Sequence, residues 1–267
     1  MFRTVVILLA LGCALSARAH EFWVLPDRFQ LPGPGAAVLS LAVGQEFTGE
    51  RVGFSRPLLA QFQHLSAAGR ADLRARVPAE TAAPSWRVEL ARPGTHLLAI
   101  TTAPSEIVLP ADKFNDYLRT EGLDAVLRER ERTGRSQAVG RERYRRNIKT
   151  LVQVGARGDA SYAVRTGQRL EILPLSNPAR VRSGEPLAFR LLFDTRPLPQ
   201  ALVKFWHRSG NQVHLLTATT DREGRVAFTP HEGGTWMASV VHMIPVTDSP
   251  AHDWDSFWGN LTFALPE

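Results

Sequence analysis

Cysteine is all but missing: the one thiol in 267 residues is Cys13, which falls inside an apolar leader. A chain cleaved behind that leader has no disulfide, no thiolate to offer a metal and no cysteine nucleophile. An exported domain of this kind must be held by its core. Long apolar runs are missing too, since the leader's stretch from Val5 to Gly12 is too short to span a bilayer. There is no G-x-S-x-G, no H-E-x-x-H and no glycine loop of the kind that cradles phosphate. These absences give no support to serine-hydrolase, zincin or phosphoryl-transfer chemistry. A broad basic stripe is also lacking. Without Arg3 and Arg18, 30 basic residues stand against 26 acidic, and the segment from Asp112 to Lys149 alone holds 11 basic against 7 acidic. The excess therefore sits in one segment, and nucleic acid is not an expected partner.

What is present begins with the leader. Arg3 gives it a positive start, Val5 to Gly12 an apolar centre, and Ala17-Arg18-Ala19 the small-x-small pattern read by signal peptidase. The expectation is a signal peptide over residues 1–19, a periplasmic protein and a mature chain of about 248 residues that starts at His20. Lipidation at Cys13, after "LALG", is the rival processing route. Cleavage after Ala19 has a chemical consequence. An N-terminal histidine offers a metal its free α-amine and its imidazole together, whereas an internal one offers a ring nitrogen alone.

Residues 20–110 show short apolar stretches broken by Gly and Pro. "SWRVEL" and "HLLAI" on either side of "RPG" look like antiparallel strands. From 111 to 155 the period changes: Phe114, Tyr117 and Leu118, then Leu123, Val126 and Leu127, recur at helical spacing. Gly122, Gly134 and Gly140 break this Arg-rich connecting segment into short helices. From 166 to 267 strand alternation resumes, with "TTDREGRVAF" as a turn in which Gly224 supplies a positive φ. The fold class expected is mainly β: two sandwich regions joined by a short helical segment.

Seven further histidines follow His20, and five of these lie beyond residue 206. Val203, Phe205 and His207 share one strand face, as do Ala238, Val240 and His242, so each histidine closes an apolar face at its strand's end. Neutral imidazole suits late first-row divalent metals. His20, His207 and His242 together would make a nitrogen-rich site. His214 is placed to pair across from His207, and His64, His96 and His231 read as surface residues. Trp254, Phe257 and Trp258, at i, i+3 and i+4, would share one face of a helical turn over the same rim as His252.

"AHEFWVLP", "KFNDYLRTEGLDAVLRER", "GRERYRRNIKTLVQVG", "LEILPLSNP", "TTDREGRVAF", "GTWMASVVHM" and "DWDSFWGNLTF" recur in an order that resembles the DUF4198 family. That family is similar to the periplasmic components of nickel and cobalt uptake systems. The resemblance implies a C-terminal immunoglobulin-like or transthyretin-like sandwich and binding of Ni²⁺ or Co²⁺. It matches His20 to the family's post-signal histidine and His242 to its "VHM" motif, while His207 rests on the strand pattern. The chain has no histidine-rich tract for high-capacity storage. The function expected is non-enzymatic capture of nickel or cobalt, with copper possible, for a membrane importer. The alternatives are a copper histidine-brace oxidoreductase and a non-catalytic interaction module.

Overall fold

The computed structural model describes residues 21–267; the leader, Cys13 and His20 lie outside the described residues. The chain opens with β1 (Glu21–Pro26), β2 (Gln30–Leu31), β3 (Gly35–Gln45), β4 (Thr48–Val52), β5 (Leu59–Ser66), β6 (Gly69–Asp72), β7 (Trp86–Leu90), β8 (Gly94–Thr102) and β9 (Ser105–Leu109). Two helices follow, α1 (Ala111–Thr120) and α2 (Asp124–Arg132), and then β10 (Gly140–Val154). The remainder is β11 (Leu170–Pro174), β12 (Leu187–Phe193), β13 (Arg196–Pro197), β14 (Leu202–Ser209), β15 (Gln212–Thr219), β16 (Arg225–Phe228), β17 (Gly234–Pro245) and β18 (Trp254–Leu265). The fold is mainly β. Among the described residues no helix is long and apolar enough to cross a membrane.

One ten-stranded sheet runs through the molecule in the order β15-β14-β17-β18-β10-β8-β5-β6, with β2 and β9 also paired to β10. A sheet of β1-β3-β4, with β7 on β3, packs against it near the β5–β8 end. A sheet of β11-β12-β13, with β16 on β12, packs against the β14–β17–β18 end. The two sandwiches therefore share a layer. β10 belongs to both: Ile148, Val152 and Val154 join the first core with Val24, Leu41 and Ile100, and Leu151 joins the second with Phe189, Phe205 and Phe257. The helices close a third core, where Phe114, Tyr117 and Leu118 pack on Val241, Met243 and Trp258.

Three local expectations change. The connecting segment is helical only to Arg132, and residues 140–154 are a strand. Its arginines disguise an alternation: Glu142 points inward, while Arg141 and Arg143 turn to Asp253 and Asp255 beside the parallel partner β18. β7 and β8 do not form a hairpin. The "RPG" turn carries the chain from one layer to the other, so β7 pairs with β3, and β8 with β5 and β10. Trp254, Phe257 and Trp258 are in strand β18, not a helical turn, so Trp254 and Trp258 face the helices and Phe257 faces the second core. Gly224 does supply the expected positive φ, at 71°.

Candidate functional site

The alternation along β14 points Val203, Phe205 and His207 into the second sandwich, as their spacing predicts. His207 is 3% exposed and lies flat on Trp236, with ring centroids 4.4 Å apart. Its Nε2 is 2.8 Å from the Gly233 carbonyl, its Nδ1 is 3.6 Å from Glu232, and His214 pairs across from it. His242 lies on the same face of the sheet. It packs 4.4 Å from the Phe193 ring, and burial lowers its pKa to about 4 against the pull of Asp194.

These histidines do not converge. β14 and β17 are antiparallel, so their two ends lie at opposite rims. His207 stands opposite Trp236, and His242 comes six residues farther along β17, roughly 20 Å away at about 3.3 Å per residue. His20 lies outside the described residues. Its neighbour Glu21 approaches Trp206 and Ser239, on the sheet face turned away from both histidines. Among the described residues no group of three or more His, Cys, Asp or Glu side chains is placed to hold a metal. The three-histidine site fails because alternation predicts which face a side chain takes but not which rim its strand end reaches.

Two other clusters have chemical potential. The first is at Glu21, where β1 crosses the long sheet edge-on. Asn260 and Thr262 donate side-chain hydrogen bonds to the carbonyls of Phe22 and Val24, which fixes that crossing. Glu21 Oε1 accepts from Ser239 Oγ at 2.7 Å and Trp206 Nε1 at 3.1 Å, while the buried Oε2 has no partner among the described residues. Nearby, Lys204 Nζ donates to both oxygens of Glu121 at 2.8 Å. Trp23, Phe47 and Met237 wall the cluster off with apolar surface. Two carboxylates thus share one ammonium. Burial, aided by Glu121, pushes the Glu21 pKa up to about 7, against the pull of Ser239 and Lys204.

The second cluster is the pair His64 and His96. His64 follows Phe62 on β5, and His96 precedes Leu98 and Ile100 on β8, so both extend the inward-facing rows of the first core. His96 is 2% exposed, whereas His64 is half-buried. His64 Nε2 and His96 Nδ1 are 2.7 Å apart, and His96 Nε2 is 2.8 Å from the Arg92 carbonyl. Burial lowers both pKa values, that of His64 to about 4, so both rings are neutral at pH 7. Neither is the surface residue that its turn-like sequence context suggests. The signal in the sequence was their place in line with "F-x-H" and "H-x-L-x-I", the same apolar alternation that singled out His207.

No curated protein matches the chain. Solved structures similar to it include the D0–D1 domain of intimin, at 13% identity and a TM-score of 0.21, covering 92% of this chain and 99% of that one. A tetra-tandem repeat from the extending region of a large adhesion protein matches at 10% and 0.24, over 93% and 50%. A DUF3823 family protein from Bacteroides uniformis matches at 10% and 0.23, over 82% and 95%. Likenesses this distant carry no functional argument. The family model that describes DUF4198, a domain of unknown function, matches residues 17–244, and the chain belongs to that family.

Proposed function

We propose that this is an exported, non-catalytic protein that captures a late divalent metal, nickel or cobalt before copper, at its mature N-terminus and delivers it to a membrane importer. The observation that carries this reading is the buried oxygen of Glu21 that has no hydrogen-bond partner among the described residues, in a cluster of two carboxylates and one ammonium, next to the residue expected to begin the mature chain. The α-amine and imidazole of His20 would bind the ion, and the Glu21 carboxylate would supply an oxygen. Such a mixed nitrogen and oxygen donor set suits Ni²⁺, Co²⁺ and Cu²⁺. His207 and His242 have no part in it. A copper brace would require a second imidazole beside the first residue, where Glu21 instead meets an indole and a hydroxyl.

Calorimetric titration of chain processed after Ala19 tests this proposal. Binding of Ni²⁺ or Co²⁺ should weaken at least tenfold in His20→Ala, in Glu21→Gln and in a form carrying one extra N-terminal residue. The extended form keeps every imidazole and displaces only the α-amine. Equal binding by all four proteins overturns the proposal.

The interaction-module reading has one observation of its own. β15, "QVHLLTAT", is the outer strand of the ten-stranded sheet; it carries no charged residue and leaves Leu215 and Leu216 45% and 43% exposed. Exposed, uncharged sheet edges are templates for pairing with another strand.

A further inference from the structure

We propose that His64 and His96 form a second binding site for a late first-row divalent metal ion, at the rim of the first sandwich, independent of the chain's N-terminus. Their nitrogens already face each other, with His64 Nε2 and His96 Nδ1 2.7 Å apart and the ring centroids 5.0 Å apart. Two imidazole ligands at about 2.0–2.1 Å from one ion, subtending 90–110°, stand roughly 2.9–3.4 Å from each other. The nitrogens therefore need to part by less than about 1 Å while the rings turn to aim both lone pairs at the ion, and half-buried His64 can make that movement.

The second ring nitrogen of His96 fixes the chemistry of the first. A carbonyl oxygen can only accept, so the 2.8 Å contact with Arg92 places the His96 proton on Nε2 and leaves a lone pair on Nδ1. This is how metal-binding histidines are commonly oriented, with the far N–H held by a carbonyl. Without metal, the proton between the rings belongs to His64 Nε2. When the ion enters, that proton moves through water to Nδ1 of the same ring. Two neutral imidazoles then bind the ion with no net release of protons, and water completes the coordination. Buried His96 anchors the site, and the open flank of His64 is the way in. Two protein donors make a weak, exchangeable site, and it should favour Cu²⁺ over Ni²⁺ and Zn²⁺, and these over Co²⁺.

The test uses the full exported chain carrying His20→Ala, which removes the N-terminal chelate, titrated with Cu²⁺ and Ni²⁺. One equivalent should bind, with Cu²⁺ showing coupling to two imidazole nitrogens by electron paramagnetic resonance. Adding His64→Ala should weaken that binding at least tenfold without changing the circular dichroism spectrum. An unchanged isotherm after His64→Ala, a Cu²⁺ signal without two-nitrogen coupling, or no binding in the His20→Ala chain would each overturn the site. The N-terminal proposal fails separately, when His20→Ala binds as much metal as the unaltered chain.

Discussion

Two carboxylates, Glu21 and Glu142, lie so deep that folding raises their pKa values to about 7. Burial is the main cause at Glu142, opposed by donors: Ser256 and Tyr117 hydrogen-bond its Oε1, and Trp258 Nε1 donates to Ser256 Oγ. Folded Glu142 keeps its proton until about pH 7, whereas an unfolded glutamate loses it near 4.5. Unfolding therefore releases a proton between these values, so stability falls as pH rises through the window and levels off above it. The effect at Glu142 is at most about 3 kcal/mol. His64 and His242 act in the opposite sense, because their pKa values fall to about 4 and stability is lost as pH drops from 6.5 towards 4. Urea denaturation at pH 5 and pH 8 separates the two contributions. Glu142→Gln should lose about 2–3 kcal/mol less than the wild type between those pH values. Equal losses would show that Glu142 is already ionised in the fold.

At the scale of elements, β15 is the least protected edge. β4 carries Glu50 and Arg51, and β6 carries Arg70 and Asp72, charges of the kind that discourage edge pairing. β15 has none. If it recruits strands, and a second copy of the chain is the simplest source, the wild type should sediment partly as a dimer at tens of micromolar and Leu216→Lys as a monomer. Identical sedimentation of the two would remove the observation behind the interaction-module reading. The elements also show what the sequence made legible. Alternation placed His207 and His242 on the correct face, and helical spacing located α1 and α2 from Phe114, Tyr117, Leu118 and Val126. Gly140 reads as a helix break in sequence, but it opens β10 and stays side-chain-free because the Phe114 ring occupies the space a Cβ would fill. Strand direction, the choice of partner strand and the depth of a histidine at a strand end are set by contacts far apart in the chain. No local period records them, so the sequence neither separates His207 from His242 nor brings His64 to His96.

At the scale of the whole molecule, no boundary divides the β-rich halves, because β10 is paired on one side to β8 and on the other to β18. Limited proteolysis should therefore release neither half as a stable fragment. A chain ending at Asp253, without β18, should lose cooperative unfolding entirely, because β17 and β10 would both face solvent at the middle of the sheet. Recovery of a protease-resistant fragment ending before Gly140 would show that the first sandwich stands alone.

The same pairing sets an order for folding. β10 acquires its parallel neighbour only when residues about 112 positions downstream arrive, Arg143 beside Asp255. Sheets closed by such distant segments form late. A chain made from its first residue onwards keeps the central seam of the sheet open until β18 has been made. For that interval the uncharged β15 and the uncovered flank of β10 are exposed to other unfinished chains.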